Sequence, residues 1–465
     1  MAHPPNGTTG RQTSRDRGPG SPPAAAPDAR SAAIRAVAAQ AARFPDLLPS
    51  EPETEGLDPR DAALAHAIYD AVIRRWQTLA ALIQPHLNQP FDGLEPKMRA
   101  VLLCGAAQLA MLDRVPPHAA VDQSVDWAKR FIRPKAGGMV NAVLRRLHES
   151  LGEITDSWID ERDLLLLPDG RGRRLIGTVL PNDPIDRLAV QASCAIGMLR
   201  RWVEMRGVED AYDAAYYGLA SPPIVLNTGY ATEPVPGAEP HAEKGHAVFT
   251  GSMADLRALL AGRSDVWVQD AASGRAVRRA AETLKPKLIV DLCAGRGTKT
   301  RQLAAAFPEA QIVAADVDKA RGDELAAAFA NHPRVRVMAY KEVLPEVSTR
   351  ADLILLDVPC SNSGVIARRP EAKYRFSRPQ LKRLTDIQRQ IIADAMAMLA
   401  PAGSILYSTC SLEPEEDSEP LAWARQWHGL RPAWTQLLWP RGGPDARRDP
   451  AASYHDGSFS ALLSR

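Results

Sequence analysis

"KLIVDLCAGRGTKTRQLAAAF" (residues 287–307) passes from a short apolar run, through two glycines, into apolar residues at helical spacing. That pattern predicts a buried strand, a tight turn and a helix. Gly295 and Gly297 let the backbone approach a ligand, and the helix N-terminus offers it free N–H groups. The GxxxxGK[ST] spacing of a phosphate-binding P-loop is missing. Asp316 closes the next apolar run, "AQIVAADVD", at about the separation where an acid meets ribose hydroxyls in nucleoside-binding folds. The bland reading is a tight turn beside a solvated acid. The ligand reading suits NAD, FAD or S-adenosylmethionine equally.

Outward from this stretch the alternation repeats: "KARGDELAAAFANH", "VRVMAY", "DLILLDVP", "PQLKRLTDIQRQIIADAMAML", "GSILYSTC", "EPLAWARQWHG". Strands alternating with helices predict a doubly wound parallel sheet. In such sheets ligands bind beyond the carboxyl ends of the strands. The glycine turn, Asp316, "DVPC" (357–360) and "STC" (408–410) therefore fall on one rim. The pattern begins near residue 265, and a domain over 261–465 is expected. Residues 31–150 show helical periodicity throughout and predict a small all-α domain. Residues 151–260 read as a linker with a small mixed α/β subdomain. Residues 1–30, rich in Gly, Pro, Ala, Ser and Arg, read as a disordered tail.

Bulk properties narrow the classes. At roughly 150 residues per domain, 465 residues suggest about three domains. The net charge of +2 does not by itself declare a nucleic-acid partner. Five scattered cysteines (Cys104, Cys194, Cys293, Cys360, Cys410) form neither a disulfide framework nor a metal-ligand cluster, so reduced thiols and no metal are expected. The N-terminus lacks a signal peptide's apolar core, and no apolar run reaches the roughly 18 residues of a membrane span. A cytoplasmic protein without membrane contact, and a monomer, is expected.

The two strand-end thiols suggest a chemistry. Carbon 5 of cytosine is a poor nucleophile. A thiolate adding at carbon 6 turns the ring into an enamine that can attack an electrophilic methyl group, splitting one hard step into two. Such a site also needs a carboxyl group to hold the base, and Asp357 fits. Each cysteine taken singly is better read as a small core residue. Two of them beside an acid on a nucleoside-type rim reverse that balance. Cys104 and Cys194, in apolar helical stretches, read as core.

The quoted motifs carry a family resemblance. "DLCAGRGTKT", "DVPCSNSGVIARRPEAKY" and "YSTCSLEPEED" resemble the signatures of RNA cytosine-5 methyltransferases, as do "VWVQDAASG" and "HDGSFSALLSR". "RVPPHAAVDQSVDWAKR" and "GGMVNAVLRRL" resemble a NusB-like RNA-binding domain. The pairing is similar to the bacterial small-subunit rRNA cytosine-5 methyltransferases of the RsmB (Sun) type. The resemblance implies a Rossmann-like S-adenosylmethionine-dependent methyltransferase domain behind a NusB-like helical domain. It implies that Cys410 attacks, Cys360 assists release, and Asp357 and Lys299 sit beside the target base. It assigns the cofactor to Cys293, Ala294, Gly295, Arg296, Gly297, Thr298, Lys299, Asp316 and Asp357. The implied partner is RNA, as small-subunit rRNA or an assembling ribosomal particle. The chain departs from the pattern where Arg296-Gly297-Thr298 replaces Pro-Gly-Gly, and where "VMAYKEV" offers no clear acid for the adenine. The altered loop is the only feature favouring the rival expectation, a non-catalytic RNA-binding or assembly factor on the same fold.

Two segments read as RNA contacts. Residues 368–383 hold seven Lys/Arg and one acid, with Tyr374 and Phe376 interleaved. Residues 129–147 hold six Lys/Arg and no acid. A solvated helix face is the plain alternative for each.

Overall fold

The computed structural model describes residues 28–177 and 180–465. Five helices come first: α1 (Ala29–Ala41), α2 (Pro59–Ile83), α3 (Pro96–Met111), α4 (Pro117–Phe131) and α5 (Ala136–Glu149). Asp28 accepts from Ser31 N at 2.9 Å, and Asp58 caps α2 ahead of Pro59, whose missing N–H is harmless at the first helical position. The expected tail of residues 1–30 lies outside the described residues up to residue 27. Its last three residues instead cap and begin α1, because Asp28 supplies the cap. From Ala100 to Met111 every residue of α3 is buried, so this helix is the axis of the bundle and needs no polar face. Cys104 lies within it.

Helix α2 is broken at Arg75 (φ −123°, ψ 23°). A break inside a helix strands backbone polar groups, which must find partners when buried. Residues distant in sequence supply them. Tyr374 Oη donates to Ile73 O at 2.7 Å and accepts from Trp76 N at 3.2 Å. Lys373 Nζ donates to Arg74 O at 2.8 Å, and Ser193 Oγ accepts from Gln77 N at 2.8 Å.

The middle of the chain holds two small sheets. Strands β1 (Leu151–Thr155), β2 (Leu164–Leu166) and β3 (Gly172–Leu175) pair antiparallel in the order β1-β3-β2. Helices α6 (Pro184–Ala192), α7 (Ile196–Arg206) and α8 (Val208–Tyr217) follow. Strands β4 (Ile224–Asn227), β5 (Ala238–Pro240), β6 (His246–Phe249) and β7 (Trp267–Val268) pair as β5-β6-β4-β7, with α9 (Met253–Gly262) inserted before β7. Strands of two to five residues are too short to show a clear period, so the sequence gives this region no detailed pattern.

The main sheet has seven strands. Helix α10 (Ala271–Ala281) leads into β8 (Leu288–Asp291), α11 (Thr298–Ala306), β9 (Gln311–Ala314), α12 (Lys319–Phe329), β10 (Val335–Val337) and α13 (Tyr340–Val347). Then come β11 (Ala351–Asp357), α14 (Ala372–Arg375), α15 (Arg378–Met396), β12 (Leu399–Thr409), α16 (Ser418–His428), β13 (Arg431–Leu438) and β14 (Ser458–Ser464). The order is β10-β9-β8-β11-β12-β14-β13. Strands β8 to β12 are parallel, as expected from the alternation. The last two are not: β14 inserts antiparallel between β12 and β13. The all-parallel expectation fails there because β13 and β14 are joined without a crossover helix, and β13 carries the exposure of an edge strand. In the centre, Leu353 to Leu356 of β11 are fully buried, each contributing about 1.5–3 kcal/mol of apolar burial. The chain leaves β8 toward β9 on one side and returns to β11 on the other, so the ligand crevice lies at the carboxyl ends of β8 and β11. Among the described residues no helix is long and apolar enough to cross a membrane.

Candidate active site

The rim is built from the ends of β8, β9, β11 and β12. At β8, Asp291 is fully buried; one oxygen accepts from Thr300 Oγ at 2.7 Å and the other has no partner among the described residues. Burial pushes its carboxyl up to about 7, with Asp357 adding to the effect against the Thr300 hydrogen bond. The loop then turns through Gly295 (φ 57°) and Gly297 (φ 88°). A Cβ on Gly297 would stand 2.5 Å from Phe329 and 2.8 Å from Leu325, so only glycine lets α12 pack under the loop. Asp316, two residues past β9, holds the loop shut: its oxygens accept from Gly295 N at 2.9 Å and Asp318 N at 2.8 Å. Ala294 N donates to Ala315 O at 3.0 Å, and Cys293 packs beside the core under the turn.

Arg296 does not occupy the loop. Its side chain is 76% exposed and pairs outward with Glu324 at 2.7 Å. Thr298 then opens α11, and a Cβ on Gly295 would meet nothing within 4 Å. The open space, the unpartnered Asp291 oxygen and the free N–H groups of α11 fit a ligand with polar ends. The third strand ends before Tyr340, which opens α13 instead of presenting an acid.

Lys299, in the first turn of α11, reaches Asp357 Oδ2 at 2.8 Å. Burial alone would lower its ammonium; Asp357 outweighs that and raises it, so Lys299 keeps its charge. At the ends of the neighbouring strands β11 and β12, Cys360 Sγ and Cys410 Sγ lie 2.8 Å apart, both as free thiols. Cys410 Sγ also donates to Asn362 Oδ1 at 3.2 Å. The hydrogen bond with Cys410 pushes the Cys360 thiol well above its ordinary range, and burial adds to it.

Several residues that shape this rim escape sequence reading. Buried Glu416 accepts from Ser361 N (2.9 Å), Ser411 Oγ (2.6 Å) and Gln388 Nε2 (3.1 Å), binding the two thiol loops together. Gly364 N donates to Cys410 O at 2.9 Å and Gly457 N to Gly364 O at 2.7 Å. A Cβ on Gly364 would stand 2.7 Å from Gly457 O, so the crossing admits glycine alone. Beyond it, Arg368 joins Asp456 (2.8 Å) to Asp270 (3.2 Å), and Tyr217 and Tyr454 donate to Asp456 at 2.6 and 2.7 Å. Burial, helped by Asp270, pushes the Asp456 carboxyl up to about 6. Each is a polar residue at the edge of an apolar run, a sign of a buried polar role but not of a partner.

The expected RNA segment 368–383 is corrected by this geometry. Lys373 and Tyr374 are buried against α2, Phe376 lies under Arg201, and Arg375 faces Glu371. Glu371, itself buried, and the broken α2 offer these groups better partners than solvent does. Of the segment's cations, Arg368, Arg369, Arg378, Lys382 and Arg383 remain exposed. The cations at 129, 130, 133, 135, 145 and 146 are all exposed.

Five parallel strands, a reversed seventh inserted beside the fifth, and a glycine loop at the switch point define a Rossmann-like S-adenosylmethionine-dependent methyltransferase domain. Residues 281–437 match the family model described as 16S rRNA methyltransferase RsmB/F, and residues 28–149 match the NusB family. The chain thus carries an RsmB/F methyltransferase domain with a NusB-family domain in front, and its cofactor is S-adenosylmethionine. Ribosomal RNA small subunit methyltransferase B of Klebsiella pneumoniae is 27% identical over 401 residues, 84% of this chain and 87% of that protein. The Vibrio cholerae protein of the same name is 29% identical over 370 residues, 77% of this chain and 80% of its own. Among solved structures, PH0851 shares the fold at a TM-score of 0.66 and 19% identity, covering 93% of this chain and 98% of that one.

Proposed function

We propose that this protein methylates carbon 5 of a cytosine in small-subunit rRNA through a covalent bond from Cys410 to carbon 6 of the base. The observation that carries the reading is the approach of Cys360 to Cys410, 2.8 Å between sulfurs, on the rim that also holds the Lys299–Asp357 pair. Cys293 to Lys299, Asp316 and Asp357 would hold the cofactor, with the buried, unpartnered oxygen of Asp291 beneath them. Bound there, S-adenosylmethionine supplies the electrophilic methyl group.

Attack forms the bond from Cys410 Sγ to carbon 6 and moves the C5–C6 electron pair to carbon 5. The sulfur loses its proton and cytosine N3 gains one, with Asp357, steadied by Lys299, serving that exchange. After methylation the C5 proton passes to water, its electron pair closes the double bond, the C6–S pair returns to Cys410, and N3 gives back the proton that it gained, so that the thiol is restored. Cys360, whose thiol faces that sulfur, hydrogen-bonds the returning thiolate. The target base must be unstacked to enter, and the NusB-family domain, with the exposed cations of α4 and α5, grips the flanking RNA. The outward turn of Arg296 removes the main support for a non-catalytic factor. A single cytoplasmic copy acting on rRNA or an assembling particle completes the reading.

Two measurements test it. Calorimetry should show S-adenosylmethionine binding that Asp316→Ala weakens about ten- to hundred-fold, the worth of hydrogen bonds to a charged acceptor. Bisulfite mapping of small-subunit rRNA from cells lacking the protein should lose a 5-methylcytosine. Cofactor binding with no lost site would contradict the cytosine assignment.

A further inference from the structure

Asn362 sits between the two thiols in the left-handed region (φ 63°, ψ 23°), one of three non-glycine residues there among those described. Asparagine is among the few L-residues that enter this region without prohibitive strain, and such conformations cluster at functional sites. Its side chain uses both ends. Nδ2 donates to Cys360 O at 3.1 Å, and Oδ1 accepts from Cys410 Sγ at 3.2 Å. A backbone carbonyl can only accept, so the amide orientation is fixed: the NH2 faces Cys360 and the oxygen faces the Cys410 sulfur. An amide oxygen can only accept as well. The hydrogen bond therefore forms with the thiol and cannot form with the thiolate.

We propose that Asn362 is the positioning residue of the nucleophile: between turnovers it takes up the Cys410 S–H and aims that sulfur alongside Cys360. The inference rests on the reading of Cys410 as the attacking thiol. A thiol has one proton, and that of Cys410 is directed at Asn362. Between the two sulfurs the donor is then Cys360, in keeping with the strong retention of its own proton. The neighbouring hydroxyls are committed elsewhere: Ser361 and Ser363 both meet Ser411 Oγ, at 3.3 and 3.4 Å. Entry of the base breaks the bond to Asn362 and frees the sulfur to attack, so an idle enzyme carries a quiet nucleophile.

The test is iodoacetamide alkylation of the native, RNA-free protein, mapped by peptide mass at Cys360 and Cys410. Asn362→Gly keeps the backbone conformation and removes the amide; Cys410 should react about five-fold faster, the effect of one typical net hydrogen bond. Asn362→Asp should react more slowly than the wild type, because a carboxylate accepts the S–H more strongly and repels a thiolate. Equal rates in all three proteins overturn the proposal. So does faster reaction of both cysteines in both variants, which would mean only a loosened loop. A second arm adds RNA and cofactor in a Cys360→Ala background. Adduct that forms as fast or faster once Asn362→Gly is added supports the resting role, because base entry has already broken that bond, and adduct that forms more slowly refutes it. If Cys360→Ala alone traps nothing, the nucleophile assignment falls, while the alkylation order still judges Asn362.

Discussion

Residues 129–147 and 368–383 carry the same kind of sequence signal, and only the second sends part of it inward. The first, on α4 and α5, turns all six of its cations outward, and Gly137 lets the Lys129 stem cross close to α5. The second drives Lys373 and Tyr374 into the break of α2 and ties the catalytic half of the chain to the helical bundle. The difference teaches that charge in a sequence has a sum but no direction. A helix that lacks its own hydrogen bonds can claim a lysine that composition would give to RNA.

The comparison breaks most visibly at Lys373. Lys373→Ala strands Arg74 O and Ala192 O and leaves a cavity, and should cost about 2–4 kcal/mol by denaturant unfolding. Burial lowers the Lys373 pKa from 10.5 to about 7. The unfolded chain therefore holds a proton that the native protein sheds between those values, and native stability from this group rises with pH across that window. The gap between wild type and Lys373→Ala should accordingly be wider at pH 9 than at pH 6.5; a gap that narrows would mean the ammonium is held charged. Tyr374→Phe removes one donor and one acceptor at the break and should cost about 1–3 kcal/mol, with α2 amides nearest Trp76 losing hydrogen-exchange protection. Replacing Lys129, Arg130, Arg145 and Arg146 with Gln should leave stability within about 0.5 kcal/mol. It should weaken RNA binding and flatten its salt slope by about 0.7 for each phosphate of single-stranded RNA that is no longer neutralised. An unchanged slope would make 129–147 a solvated face and erase the contrast.

Much of the catalytic half is legible because its signals are local. A short, mostly apolar strand, a turn and a helix are adjacent in sequence, so β8 to β12 and the loop at 291–300 follow from pattern alone. Asp316, Asp357, Lys299 and both thiols could be placed on one rim because parallel strands put their carboxyl ends together. What stays hidden depends on partners distant in sequence. Glu416 looks like one acid among several in "EPEED", and only the fold brings it to Ser361. Asp270, Arg368 and Asp456 are far apart in the chain and become one cluster through β14, a strand whose reversed direction periodicity does not encode. Asn362 reads as a turn residue, and its amide acquires a task only when β12 sets Cys410 beside it.

The two thiols are neighbours with unequal surroundings, and unequal roles are proposed for them. The direct measurement is denaturing electrophoresis of protein mixed with substrate RNA and S-adenosylmethionine, for Cys360→Ala, Cys410→Ala and the double variant. Cys360→Ala should accumulate a protein–RNA species that survives denaturation, because attack proceeds and release is slowed. Cys410→Ala should give neither adduct nor methyl transfer, and the double variant should match it, as expected of residues acting as one unit. An adduct trapped by Cys410→Ala would make Cys360 the nucleophile and contradict the account.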